Sequence, residues 1–298
     1  MLQLKKYPYS GILGWSASRY DKFKTCKRQY YFEYYAKNYD NEIDKNHLLR
    51  LKALTSIPLE IGNIVHDIIK IILERLAKDS SALNIEKLKS YSEKLALEYI
   101  NAKEFSEVFY NDLIEINKSE ITDKVLSYID LLINSERFKW ILDYATPQSN
   151  NWLVEPEGFG ETRINNIKAY CKVDFLFPVE NKIYIVDWKT GKEDELKQEK
   201  QLKGYTAFAC DHFGKKAEDV VCILYFVKES KEKVFHFSAE EITQFSQSIK
   251  LQTEEMYGFN SNIDNNIPLP KSEFKKTASE AVCKYCNYRD ICLDKKNI

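Results

Sequence analysis

Apolar positions follow a helical period through the first half of the chain and a strand-like pattern through much of the second. Side chains such as Ile61, Val65, Ile68 and Ile72 recur three and four residues apart, which predicts an amphipathic helix. On this basis helices are predicted at 16–36, 58–78, 194–213 and 239–257, with a largely helical stretch over 84–146. β-Branched and aromatic residues predict extended segments at 152–164, 167–177, 182–188 and 219–228, and a short strand containing Phe235 and Phe237; a polar loop follows at 260–270. This order predicts an α/β fold with a mixed central sheet flanked by helices.

Composition narrows the class of protein. The chain has 298 residues, 44% of them hydrophobic and 30% charged, as expected for a globular protein with a substantial core. We expect one domain over 1–298. The apolar runs are too short to cross a bilayer and the N-terminal segment does not have the pattern of a secretory signal, so a cytoplasmic protein without a membrane partner is expected. In a reducing compartment the seven cysteines are thiols or metal ligands rather than disulfides.

Two aspartates and a lysine carry the most informative pattern. Asp187 and Lys189 are two residues apart, so on a strand they share a face. If Glu180 and Asn181 form a two-residue turn, paired residue numbers sum to 361 and Asp174 lies opposite Asp187. Opposed Cβ atoms in such a pair are about 4.5–5.5 Å apart, so the carboxylates repel each other unless a cation such as Mg²⁺ or Mn²⁺ lies between them. Solvated strand ends are the alternative, but apolar neighbours flank both aspartates.

Four of the cysteines have the spacing of a metal site. Cys283, Cys286 and Cys292 form a C-x2-C-x5-C group near the C-terminus, and Cys26 lies on the first predicted helix. Together they would supply four thiolates to one tetrahedral site, for which zinc and an iron–sulfur cluster are both chemically possible. The remaining cysteines are interpreted as buried thiols.

The segments VDF and IVDWKTGK resemble the core motif of the PD-(D/E)XK nuclease superfamily and in particular of its RecB-like branch. IGNIVHDII resembles the G-x-x-x-H helix of that branch, which implies that His66 is a metal ligand. QLKGY resembles its Q-x-x-x-Y helix, which implies that Gln201 and Tyr205 contact substrate or steady the active site. The resemblance covers residues 14–292 apart from a helical insertion at about 79–146, and implies a restriction-endonuclease-like core. Glu155 or Glu157 is a candidate further carboxylate.

The cysteine pattern is similar to that of CRISPR-associated RecB-like exonucleases and of the AddB nuclease domain. This similarity implies a structural [4Fe-4S] cluster on Cys26, Cys283, Cys286 and Cys292. The cluster would join the N-terminal helix to a C-terminal cap at about 279–298. The interval of 108 residues from His66 to Asp174 is longer than expected for the compact CRISPR-associated type.

The sequence therefore predicts a metal-dependent DNA nuclease, with exonuclease action on single-stranded ends. Its expected role is in DNA repair or CRISPR adaptation, and because no Walker motif is present a helicase partner would be a separate chain. The alternatives are a non-catalytic binding or scaffolding relative and a zinc-containing nucleic-acid-binding protein. Two lysine- and arginine-rich groups are candidates for phosphate contacts: Lys22, Lys24, Lys27 and Arg28, and Lys271, Lys275 and Lys276. The aromatic residues at 30–35 are either a base-stacking surface or core.

Overall fold

Helices make up most of the first half of the chain. The computed structural model describes residues 4–5, 7–79, 84–155 and 163–293. The α-helices are α1 Ala17–Thr25, α2 Lys27–Tyr34, α3 Ala36–Tyr39, α4 Lys45–Ala53, α5 Ile57–Lys78, α6 Ile85–Ala102, α7 Ser106–Phe109, α8 Lys118–Ile133, α9 Glu136–Trp140, α10 Glu195–Phe213, α11 Ala239–Tyr257, α12 Glu280–Lys284 and α13 Arg289–Cys292. A π-helical turn, Ile141–Ala145, continues α9.

The strands form one central sheet and two small hairpins. They are β1 Leu153–Val154, β2 Arg163–Ile164, β3 Ile167–Lys168, β4 Phe175–Val179, β5 Lys182–Lys189, β6 Val220–Phe226, β7 Lys231–Phe235, β8 Asn260–Asn262 and β9 Ile267–Pro268. The central sheet has the order β1-β4-β5-β6-β7, in which only β5 and β6 are parallel. Helix α10 makes the crossover between these two strands, as a parallel pair requires. The predicted mixed sheet flanked by helices is confirmed.

Alternation along β5 divides the core between the two faces of the sheet. Ile183 and Ile185 lie in a cluster with side chains of α1, α2, α10 and α11. Val186 and Trp188 lie on the opposite face, packed with the apolar stripe of α5 and with α6, α8 and α9. Asp187 shares the face of Ile185, so burial of its neighbours fixes the direction of its carboxylate.

Several predicted elements are interrupted. The helix expected at 16–36 is broken at Cys26, whose φ of −158° and ψ of 109° are extended. Ser16 caps its start by accepting a hydrogen bond from the Arg19 backbone N–H. The stretch 84–146 is divided by non-helical segments on both sides of α7. The strand expected at 167–177 is broken between β3 and β4, and the loop at 260–270 contains the β8–β9 hairpin.

No helix of the described residues is both long and apolar enough to cross a bilayer. This agrees with the short apolar runs of the sequence.

Candidate metal centre

Three strands bring acidic residues together at one end of the sheet. β4 and β5 pair with residue numbers that sum to 361, from Phe175↔Val186 to Val179↔Lys182, so the predicted two-residue turn and register are confirmed. Asp174 directly precedes β4, and its Oδ2 accepts a hydrogen bond of 3.0 Å from the backbone N–H of Trp188. On the other side, the backbone N–H of Glu155 donates to the Asp174 carbonyl at 2.9 Å. Asp174 is therefore flanked by one acidic residue on each neighbouring strand.

Helix α5 adds His66 to this end of the sheet. Its Nδ1 lies 3.5 Å from Asp174 Oδ2 and 3.9 Å from Glu155 Oε1. One potential ligand atom from each of His66, Glu155 and Asp174 lies within 4.8 Å of the other two. An imidazole and two carboxylates are suitable donors for Mn²⁺ or Mg²⁺. The group lines an open cleft of about 680 Å³ that also contains Lys189, a size usual for ligand sites.

Close packing positions the His66 helix. An added Cβ on Gly62 would lie 3.1 Å from Thr190 Oγ1, so the absence of a side chain lets α5 approach the end of β5. The i, i+4 spacing of Gly62 and His66 places both on the face of α5 toward the cleft. Gly62, the glycine of the G-x-x-x-H motif, therefore allows the close packing of α5 against Thr190.

The backbone at Glu155 is strained where it presents its carboxylate. Its φ of +32° is positive, and residues other than glycine rarely adopt positive φ values. Its Oε2 pairs with Lys172 Nζ at 2.9 Å, but Lys172 is largely exposed, so this pair is weak. Glu155 is thus a buried carboxylate with only a solvent-screened cation beside it.

Electrostatics favour a cation at this site. The pKa of the Asp174 carboxyl is raised to about 7, first by burial and then by the nearby Asp187 carboxylate, against smaller opposing effects of His66 and Lys189. Charging Asp174 in this environment is therefore costly. A divalent cation bound between the ligands would remove that cost.

Asp187 takes part in a polar chain that ends at the cleft. Its Oδ2 lies 2.5 Å from Lys189 Nζ, and its Oδ1 accepts a hydrogen bond of 3.2 Å from the Tyr205 hydroxyl. Lys189 also donates to Gln201 Oε1 at 2.9 Å, and the Gln201 amide donates to the Tyr205 oxygen. Burial and the Asp187 charge raise the Tyr205 pKa well above its usual 10, so the hydroxyl keeps its proton and acts as a donor.

The structure thus places all six predicted residues of this centre at one site. Asp187 is almost fully buried behind the cleft, and its carboxylate is paired with Lys189 rather than grouped with the three potential ligands. The sequence did not distinguish Glu155 from Glu157. The short pairing of β1 with β4 selects Glu155, because it continues that register to Asp174. Glu157 lies outside the described residues.

The four predicted cysteines line a second, enclosed cavity between α2 and the C-terminal segment. The extended backbone at Cys26 makes it the N-cap of α2, where Sγ accepts from the Gln29 N–H at 3.5 Å. The pKa of the Cys286 thiol is raised to about 11, mainly by burial and to a smaller extent by the other three thiols. Burial raises the pKa of Cys292, whereas the nearby Lys276 and Arg28 lower it. Cations are therefore present for an anionic group in this cavity.

The predicted basic groups are mostly engaged with the protein itself. Lys22 pairs with Glu33 at 3.0 Å, and Lys24 pairs with Glu255 at 3.1 Å. Arg28 donates to main-chain carbonyls of the C-terminal segment. The Arg28 contacts join the two ends of the chain, and all of these contacts engage the side chains with the protein itself instead of leaving them for phosphate.

The aromatic residues that follow are core rather than a stacking surface. Four of them are at most 2% exposed: Tyr30, Tyr31, Phe32 and Tyr35. Tyr30, Tyr31 and Tyr35 pack on Phe274, and Phe32 packs on Tyr288. The base-stacking interpretation of these four is therefore wrong.

Comparison with known proteins identifies a superfamily over most of the chain. A family model described as the PD-(D/E)XK nuclease superfamily matches residues 14–293. The crystal structure of SSO0001 is similar over 76% of this chain and 96% of its own, at 17% identity and a TM-score of 0.29, which is too distant to support an argument. A search of curated proteins finds no match.

Substitution of Gly62 tests the packing of α5 on the end of β5. We expect Gly62→Ala to reduce metal-dependent activity severalfold, because the methyl group presses on Thr190 beside Lys189. Glu74→Ala, at an exposed position farther along the same helix, is the control. Rates and melting temperatures of both variants are compared; an equal loss in both would contradict the packing argument.

The raised pKa of Asp174 predicts a pH-dependent stability. The pKa of Asp174 is about 7 in the folded protein and 3.8 in the unfolded chain. The stability that this group contributes to the metal-free protein is therefore fully present below pH 3.8 and is lost as the pH rises to about 7. Asp174→Asn should therefore raise the melting temperature of the metal-free protein more at pH 8 than at pH 5. Mn²⁺ should stabilise wild type at pH 8 and the variant much less. A stability difference that does not change between these pH values would disprove the predicted pKa.

Proposed function

We propose that this chain, which belongs to the PD-(D/E)XK nuclease superfamily, is a metal-dependent deoxyribonuclease that degrades single-stranded DNA from its ends. Superfamily membership implies hydrolysis of phosphodiester bonds in nucleic acid with Mg²⁺ or Mn²⁺. The observation that carries the assignment of the site is the group His66, Glu155 and Asp174 beside Lys189 in one cleft. DNA as substrate, attack at single-stranded ends and the single-domain organisation are parts of this proposal.

The three grouped side chains are the proposed cation ligands, and Asp187 is a predicted fourth. Their donor set fits the ion because two buried carboxylates and an imidazole converge where charge is otherwise unfavourable. A bound divalent cation supplies Lewis acidity toward a phosphate oxygen and an acidified water. In this arrangement the raised pKa of Asp174 is a property of the metal-free site.

Lys189 is the proposed catalytic residue among the cations of the cleft. Its ammonium group is held between Asp187 Oδ2 and Gln201 Oε1, which fixes its position without covering it completely. A cation held in this way can orient a water for attack and stabilise charge that develops on the phosphate. Gln201 and Tyr205 are positioning residues, because they act on Lys189 and Asp187.

The cysteine cavity is the proposed site of a structural [4Fe-4S] cluster. The four thiols line one cavity, and Arg28 and Lys276 lower the pKa of Cys292 there, so cations are present to balance a site of four thiolates. A cluster is proposed rather than zinc because of the cysteine spacing, with one distant residue and a C-x2-C-x5-C group.

Lys182, an exposed residue at the start of β5, offers a control for Lys189 on the same strand. With end-labelled single-stranded DNA and Mn²⁺, Lys189→Ala should lower the cleavage rate by at least about 100-fold. Lys182→Ala, at the opposite end of β5, should cleave at the wild-type rate. A closed single-stranded circle should resist the enzyme. Equal rates for both variants would disprove the assignment of Lys189, and cleavage of the circle would disprove the requirement for ends.

Anaerobic purification tests the nature of the cysteine site. Wild type should be brown, with broad visible absorbance and bound iron and sulfide. Cys286→Ser should lose the colour and melt at a lower temperature. Cys210→Ser changes a cysteine outside the cavity and should keep both properties. A colourless wild-type protein with bound zinc would contradict the cluster.

A role in DNA repair or CRISPR adaptation, and a separate helicase or adaptation partner, stay predictions from the resemblance. The non-catalytic alternative is disfavoured by the complete set of ionisable groups at the cleft.

A further inference from the structure

A large groove lies on the sheet face opposite Asp187, away from the metal cleft. It is formed by α6, α8, α9 and the π-helical turn on one side and by β6 and β7 on the other. Its volume of about 1320 Å³ exceeds the usual range for small-molecule sites, which is about 300–1,000 Å³. The groove therefore has room for a peptide segment rather than for a metabolite alone.

The groove carries an excess of negative charge, which is unfavourable for binding nucleic acid. Six acidic residues line it: Glu93, Asp123, Asp130, Glu136, Asp143 and Glu232. Only three basic residues lie among them, and Arg137 is already bound by Glu232 through two contacts of 2.8 Å. The remaining excess of negative charge repels a phosphate backbone and attracts a basic segment.

Aromatic rings provide a surface on which a guanidinium group can stack. Trp140 and Tyr144 are stacked with ring centroids 5.6 Å apart, and Tyr144 is 57% exposed. Arg137 already places its guanidinium 4.8 Å from the centroid of Trp140. The protein thus contains one example of the cation–π contact that an incoming arginine could make on Tyr144.

A buried hydroxyl in the groove also needs a partner. Tyr225 lines it and is only 2% exposed, yet its hydroxyl makes no hydrogen bond to any residue that the structure describes. Buried polar groups of this kind are normally satisfied. An unpartnered hydroxyl within an acidic, aromatic groove is a feature expected of a binding site.

From these four observations we infer that the groove docks an arginine-rich segment of a partner protein. Arginine side chains of the segment bind the acidic residues on α8 and the π-helical turn, and one stacks on Tyr144. A polar group of the segment satisfies Tyr225. This interaction is independent of the metal centre.

The first test uses the full chain and a fluorescein-labelled amphipathic helical peptide with arginines on one face. Fluorescence anisotropy at physiological salt should show saturable binding of this peptide. A second peptide with glutamate at each arginine position should not bind. Hydrogen exchange in the complex should be slowed over 123–144. Absence of binding, or protection confined to segments that do not line the groove, overturns the proposal.

Matched charge reversals separate a specific groove from general attraction. The variant with Asp123→Lys, Asp130→Lys and Asp143→Lys should weaken peptide binding by at least about tenfold. The control reverses three exposed acids outside the groove. It carries Glu98→Lys, Glu254→Lys and Asp264→Lys and should bind like wild type. Equal weakening in both overturns the proposal.

Two further variants test the contacts of the docked segment. Tyr225→Phe and Tyr144→Ala should each weaken binding severalfold while DNA cleavage stays at the wild-type rate. Sedimentation of the protein alone tests whether a second copy fills the groove instead. A dimer that the triple groove reversal dissolves would assign the groove to self-association and overturn the proposal.

Discussion

The repulsion between Asp174 and Asp187 is the constraint on which the site depends. The antiparallel register of β4 and β5 brings the two carboxylates together, and the backbone N–H of Trp188 holds one of them in place. The molecule reduces the repulsion by placing Lys189 against Asp187 and by leaving Asp174 with a raised pKa. His66 and Glu155 then supply the remaining donors around the more costly of the two charges, which is where a divalent cation gives the largest gain.

Local periodicity was sufficient for the central sheet and for the arrangement of Asp174, Asp187 and Lys189. His66, Gln201 and Tyr205 came instead from the resemblance to the RecB-like motifs. The turn at Glu180 and Asn181 set the register, and the register placed Asp174 opposite Asp187. Glu155 could not be selected in the same way. It follows a strand of only two residues and has a positive φ, and such an edge contact is determined by tertiary pairing rather than by alternation. The break of the first helix at Cys26 was also missed. Helix propensity is a local property of the residue and does not indicate that the Cys26 thiol lines a cavity.

The charged and aromatic residues show where composition misleads. Lysines and arginines near Cys26 suggested a phosphate surface, but Lys22 and Lys24 pair with glutamates and Arg28 binds main-chain carbonyls of the C-terminal segment. The neighbouring tyrosines are core. Both sets serve the junction between the two ends of the chain, which is where the cysteine cavity lies. Sequence alone does not give the partner of a charge, so it could not distinguish a binding surface from an internal junction.

The location of a bound Mn²⁺ ion tests the central claim most directly. Crystals grown with Mn²⁺ should give one strong anomalous peak in the cleft, bonded to His66, Glu155 and Asp174 with Asp187 as the predicted fourth ligand, and the peak should be lost in Asp174→Asn. A peak bound to other residues, or a cleft without manganese at saturating concentration, would contradict the account.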